Sequence, residues 1–250
     1  MTPPSPSAGH YAMQPIGHIA SDFPDKFGVP RQPGLAPAAH ASLVFVPPFD
    51  DPLAIRGLDA FSHLWLTFVF HLSPEPGTAW SPLVRPPRLG GNAKVGVFAS
   101  RSTHRPNRLG LSLVELRSVD THRGVRLVLG GCDLVDGTPV LDIKPYLPWT
   151  ESRPDARAGF APEPPPQHSV SFSAEAESTL AARSDGDSLR ELIRQVLAQD
   201  PRPAYHRRMT ERTYGVRLRD VDVRFQAMVD ALGQTVLRVV DIVPPPPAAL

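Results

Sequence analysis

The sequence predicts a mainly β protein, a barrel or a sandwich, followed by a smaller α+β unit. Three observations carry this expectation. Pro supplies 31 of the 250 residues, well above the ~5% of average proteins, and each interior Pro costs a helix roughly 3 kcal/mol, which excludes long helices. Short apolar or alternating runs recur through the first part of the chain, punctuated by Gly, Pro and Asn. No regular alternation of β and α units accompanies them, so a doubly wound sheet is disfavoured.

The predicted strands of the first part are Ser42 to Val46, Leu64 to Phe70, Val95 to Ala99, Leu111 to Leu116, Val125 to Leu129 and Val140 to Ile143. Val125, Leu127 and Leu129 share one face while Arg126 takes the other, the period-two spacing of a half-buried strand. The Leu64 run is apolar on both faces and is expected to be central. Asp136-Gly137 is a hairpin-type dipeptide leading into Val140. A Pro-rich stretch divides the chain. The expected organisation is a disordered start (1–14), a first domain (15–152), a linker (153–167), a small α+β domain (168–243) and a Pro-rich tail (244–250).

In the second part, Ser188-Leu-Arg-Glu191 reads as a capping box. Leu189, Leu192, Ile193, Val196 and Leu197 follow at helical spacing, and Asp200-Pro201 stops the helix. Tyr214, Val216 and Leu218 alternate, then Val221, Val223 and Phe225 alternate in shifted phase. The slip predicts a bulge or a tight turn near Arg219-Asp220. Gln234 to Val243 reads as a further strand.

Formal net charge is +1, so global balance points to no polyanion. Local balance differs. Pro76 to Val114 contains no Asp or Glu yet carries Arg85, Arg88, Lys94, Arg101, Arg105 and Arg108. A second block, Arg202, Arg207, Arg208, Arg212, Arg217 and Arg219, faces Glu211. The two blocks together read as an electrostatic footprint for phosphates. Cys132 is the single cysteine, which excludes an intramolecular disulfide and a cysteine zinc cluster. Met1 to Gln14 has no basic region followed by an apolar core, and the longest apolar run, Leu64 to Phe70, falls far short of the ~20 residues of a membrane helix. A soluble cytoplasmic protein, with no membrane partner, is expected.

Pro residues hold Arg85, Arg88, Arg101 and Arg105 in rigid loops, which suits an anionic ligand such as a carboxylate or phosphate. Asp136-Gly-Thr-Pro139, with Asp142 nearby, places carboxylates at a tight turn, where they could hold a cation, a ribose or an amine, or act as a base. His63 and His71 have the even spacing of one strand face, but no third ligand is indicated, so no metal is expected. Trp65, Trp80 and Trp149 could stack on a base, and Cys132 reads as buried filler. The usual glycine-rich nucleotide loops, HExxH and GxSxG are absent. The residues alone describe a β protein whose rigid basic loops engage an anion or a nucleic acid.

Ile16-Gly-His-Ile19, Lys26 to Leu35, Gly57 to Trp65, Arg85 to Gly91, Gly96 to Ser102, Arg105-Pro-Asn107 and Asp136 to Tyr146 together resemble the motif series of the TsaA/TrmO-like family. That group includes bacterial tRNA threonylcarbamoyl-adenosine methyltransferases. Val170 to Glu175 and Val196 to Tyr205 resemble the second domain of its enterobacterial form, so the resemblance covers nearly the whole chain. The sequence departs from the family pattern at Arg108-Leu109, where Pro-Ile is common, and at Ser21-Asp22 and Ser102-Thr103, where Ser-Pro is common.

The resemblance implies a small β-barrel, a methyltransferase without a Rossmann fold, acting as a homodimer. It implies S-adenosyl-L-methionine as cofactor and N6-methylation of threonylcarbamoyl-adenosine beside the anticodon of threonine tRNA. Carried over by motif, the cofactor contacts are Pro30, Arg31, Gln32, Ser62, His63, Leu64, Arg101, Leu111, Asp136, Gly137, Thr138 and Pro139. Asp136 and His63 are the candidate proton acceptors. Arg85, Arg88, Arg105, Arg207 and Arg208 are the candidate tRNA contacts. Two other readings stand beside it: a barrel that binds cofactor or tRNA without chemistry, and a metal-assisted hydrolase using His63, His71 and Asp136.

Overall fold

The structure, a computed structural model, describes residues 11–73, 81–90, 92–203 and 212–245. The first part contains β1 (Gly17–Ser21), β2 (His40–Phe45), β3 (His63–Val69), β4 (Leu83–Val84), β5 (Val95–Gly96), β6 (Leu109–Asp120), β7 (Arg126–Gly130), β8 (Pro139–Pro145) and α1 (Pro148–Glu151). The second contains β9 (Ser169–Phe172), α2 (Ala174–Ala181), α3 (Gly186–Ala198), β10 (Tyr214–Leu218), β11 (Val221–Val229) and β12 (Thr235–Val243). No helix among the described residues is long and apolar enough to cross a membrane.

Six strands close into a barrel in the order β1-β2-β7-β6-β3-β8. Period-two alternation fills it: Leu64, Leu66 and Phe68 of β3, Ser112 and Val114 of β6, and Leu127 and Leu129 of β7 are buried. β1 completes the ring by pairing with β2 along its length and with β8 at Gly17↔Val140 and His18↔Pro139. Gly110 pairs with Phe68, and a Cβ there would meet the Phe68 ring, so the glycine lets the aromatic ring lie over the backbone of β6. Cys132 sits in the barrel core, where burial pushes its thiol pKa up.

In the second unit the sheet order is β10-β11-β12-β9, with β9 parallel to β12. Leu189, Leu192, Ile193, Val196 and Leu197 of α3 pack on Val216, Leu218, Val223, Phe225, Leu237 and Val239. The phase slip between β10 and β11 is a tight turn: Leu218 pairs with Val221, and Arg219 takes the left-handed φ of 52°.

Several local expectations are corrected. Asp136-Gly137 makes a turn but no hairpin, since β8 pairs with β3 and β1 rather than with the preceding β7. The run from Val95 is a strand for two residues and then a 3-10 turn, Val97–Ala99. The box at Ser188 does not cap a helix. α3 already begins at Gly186, the Ser188 hydroxyl donates to the Asp185 carbonyl at 3.0 Å, and Glu191 pairs with Arg194.

Replacing Gly110 with Ala should destabilise the barrel by about 1–3 kcal/mol, the usual cost of overpacking, as read by urea denaturation. Adding Phe68→Leu to the same chain should recover part of that loss.

Candidate active site

The register of β3 on β6 sets the floor of the site. His63, Trp65 and Thr67 pair with Glu115, Leu113 and Leu111. Their neighbours Leu64, Leu66, Ser112 and Val114 are buried in the barrel, so these six residues share its outward face. The segment joining β1 to β2 passes over this face. Pro33, Gly34, Pro37, His63, Leu113, Glu115, Gly130 and Gly131 line a cavity of about 400 Å³, within the usual range for small-molecule pockets. The Gly34 N–H donates to the Gly131 carbonyl at 2.8 Å, and Arg117 Nη2 donates to the Pro37 carbonyl at 2.9 Å. A Cβ at Gly130 would strike the carboxylate of Glu115 and the guanidinium of Arg117, which pair at 3.1 Å. Glycine there keeps the wall thin.

Pro30 is buried, Gln32 is half-buried and Arg31 is exposed. Arg101 Nη1 donates to Gln32 Oε1, which joins two of the predicted cofactor motifs. Ser62 Oγ lies 2.9 Å from His63 Nδ1. Leu64 turns its side chain into the barrel, leaving its backbone alone for any ligand, whereas Leu111 is exposed. The 136–139 turn is laced to the end of β1. Ser21 N–H donates to Asp136 Oδ1 at 2.9 Å, Asp136 N–H to the Phe23 carbonyl at 2.8 Å, and Gly137 N–H to the Ile19 carbonyl at 2.7 Å. Gly137 has a φ of 74°, a conformation that favours glycine. Thr138 is buried and donates to the Val135 carbonyl at 2.6 Å, and Pro139 opens β8.

The two candidate proton acceptors do not converge. His63 opens β3, while the charge of Asp136 is felt by His71, just beyond the far end of that strand. Six strand rises amount to about 20 Å. His63 lines the cavity; Asp136 does not. His63 and His71 are likewise split between the two ends of β3, and no group of three metal-ligating side chains occurs among the described residues.

The arginines divide by environment. Arg85 and Arg88 are exposed, and Arg88 Nη2 donates to the Glu163 carbonyl. Arg105 folds back on its own loop, donating to the Ser100 carbonyl at 3.1 Å with its guanidinium 5.7 Å from the Phe98 ring centroid. Arg207, Arg208 and Trp80 lie outside the described residues. The second basic block is in part structural. Arg202 is buried against Asp200, Arg212 lies over the Tyr214 ring, and Arg219 is held by carboxylates.

Sequence reasoning passed over Asp133. The residue is half-buried, but its Oδ1 is shielded and has no hydrogen-bond partner among the described residues. Burial pushes its carboxyl up to about 6, against the opposing influence of the Ser112 hydroxyl and the Arg101 charge. The available signal was an acid standing between two core residues, Cys132 and Leu134.

A carboxyl whose pKa is raised by folding binds its proton more tightly in the folded state than in the unfolded one. Stability therefore falls as pH rises from about 4 to about 6, and stays lowered above that range. Asp133→Asn should stabilise the protein by about 1–3 kcal/mol near pH 8 and leave it nearly unchanged near pH 4, measured by denaturation without ligand.

Two family models cover most of the chain: the tRNA-methyltransferase O N-terminal domain matches residues 18–152, and the TrmO C-terminal domain matches residues 165–244. The tRNA (adenine(37)-N6)-methyltransferase of Escherichia coli is 53% identical over 220 residues, spanning 86% of this chain and 93% of that protein. A putative S-adenosylmethionine-dependent methyltransferase of Pseudomonas aeruginosa is 51% identical over 219 residues, 86% of this chain and 92% of that one. The crystal structure of TrmO from Pseudomonas aeruginosa superposes with a TM-score of 0.75 at 41% identity, covering 95% of this chain and all of the other. The chain belongs to the tRNA-methyltransferase O family.

Proposed function

We propose that this protein is an S-adenosyl-L-methionine-dependent tRNA methyltransferase. It methylates N6 of the adenosine beside the anticodon, and its substrate is threonylcarbamoyl-adenosine in threonine tRNA. The observation that carries this reading is the cleft on the β3–β6 face, with the Pro30–Gln32 motif tied to Arg101 in the segment that covers it. The names of the Escherichia coli and Pseudomonas relatives support the reaction and the cofactor.

The residues present suit such a cofactor. Arg101, exposed and in reach of Gln32, can take its carboxylate. Leu113, Pro33 and Pro37 offer apolar surface, and the backbone at Gly34 and Gly131 allows close approach. When bound, the cofactor supplies an electrophilic methyl group. The protein then has two tasks, to align N6 and to take its proton, because the ureido lone pair is delocalised into a carbonyl. With Ser62 at Nδ1, His63 has Nε2 left to receive that proton. Asp136, with Oδ1 already accepting from Ser21, serves as a brace for the turn. Arg85 and Arg88 are assigned to tRNA phosphates, Arg105 braces its own loop through the Ser100 carbonyl, and Arg207 and Arg208 are further candidate tRNA contacts. The protein acts as a cytoplasmic homodimer.

Purified protein incubated with threonylcarbamoylated threonine tRNA and cofactor should yield the N6-methylated nucleoside by mass spectrometry. An unmodified nucleoside would refute the assignment. His63→Gln should lower kcat by about 10²–10⁴ with cofactor affinity retained. Arg101→Ala should weaken cofactor binding by about tenfold or more while leaving the dimer intact in sedimentation. Replacing Arg85 and Arg88 with Ala should reduce the salt slope of tRNA binding by about one per residue.

A further inference from the structure

The segment that covers the cleft is held from outside the barrel. Between Ser21 and His40 the chain leaves β1 and returns to β2, and three of its buried side chains, Phe23, Ala36 and Ala39, belong to the hydrophobic core of the second unit. Phe27, Val29 and Ala38 pack against the same core. From α3, Gln195 Oε1 accepts the Ala38 N–H at 2.8 Å, and Gln199 Nε2 donates to the Leu35 carbonyl at 3.2 Å. Gly28, with a φ of 95°, lies so close to Val216 that a Cβ would collide with it. The motif Pro30–Gln32 sits between these tethers.

Both feet of the segment meet at Arg219, in the turn between β10 and β11. The Arg219 N–H donates to the Asp22 carbonyl at 2.8 Å, and Nε donates to Asp22 Oδ1 at 3.1 Å. Asp22 Oδ2 in turn accepts the His40 N–H at 2.8 Å, so one carboxylate spans the exit from β1 and the entry to β2. Arg219 Nη1 donates to Asp185 Oδ2 and Ser188 Oγ, both at 2.9 Å, which anchors the clamp to the start of α3. Arg183 bonds Asp185 and Asp220 on the other side, so the turn and the helix are locked together. The side chains of Arg219 and Asp22 are 16% and 13% exposed. Solvent therefore screens this pair far less than a surface ion pair.

We propose that the second unit is the holder of the cofactor segment, with Arg219 as a positioning residue that sets cofactor affinity by clamping Asp22 beside His40. The proposal rests on the reading of Pro30–Gln32 and Arg101 as cofactor contacts. It gives the second unit a task separate from tRNA attraction, although Arg219 stands within a basic block.

The test compares the full chain with Arg219→Ala, Arg219→Lys, Asp22→Asn and the Arg219→Ala/Asp22→Asn double variant. S-adenosylhomocysteine binding is read by calorimetry, tRNA binding by anisotropy, and folding by thermal melting. Arg219→Ala should raise the Kd for S-adenosylhomocysteine, and the KM for S-adenosylmethionine, by about tenfold. Saturated kcat and tRNA affinity should hold. Lys should restore part of the loss, and the double variant should be no worse than either single one, since both cut the same clamp. Should Arg219→Ala fail to fold, Asp22→Asn and Gln195→Ala release the segment more gently and must show the same rise. Unchanged cofactor affinity in a folded variant would overturn the proposal, as would a loss confined to tRNA binding. A wild-type chain that binds no S-adenosylhomocysteine would instead overturn the underlying cofactor reading.

Discussion

The pairing of β3 with β6, from His63↔Glu115 to Val69↔Leu109, is the constraint on which the rest of the molecule depends. Side chains alternate along both strands, so one register sends Leu64, Leu66, Phe68 and Val114 into the barrel and leaves His63, Leu111, Leu113 and Glu115 outside. A slip of one residue would bury His63 and expose the core leucines. The floor of the cleft and the hydrophobic core are thus two faces of one ladder.

A floor is not a pocket until something stands over it. The covering segment is rich in Pro and Gly and makes no ladder of its own between β1 and β2. Ordering such a stretch costs roughly 1–2 kcal/mol per residue in backbone entropy. Burial of Phe23, Ala36 and Ala39 in the second core offsets that cost, and the bonds to Gln195, Gln199 and Arg219 give it direction. The barrel and the α+β unit therefore share a structural element, although each has a hydrophobic core of its own.

Charge in this protein is divided by geometry rather than by abundance. Arg219 and Asp22 are 197 positions apart in sequence, and Arg202 is satisfied inside the second unit by Asp200. Counting arginines along the chain merges such structural cations with the exposed Arg85 and Arg88. The difference lies in whether a carboxylate is near in space, and that is decided by folding.

The sequence by itself determined the β character of the first part, the strands that contain Val44, Leu66, Val114, Leu127 and Val140, the α3 helix, a break in strand phase near Arg219 and the family. All of these are carried by local periodicity, turn chemistry or contiguous motifs. It did not disclose β1 or α2, because Gly17–Ser21 is short and α2 buries only Ala176 and Leu180 along its face. Tertiary structure alone decided the strand order, the distance between His63 and Asp136, the shielded oxygen of Asp133 and the clamp at Asp22. Each arises where segments remote in sequence meet, and no periodicity within one segment encodes which remote partner will shield, pair or brace it.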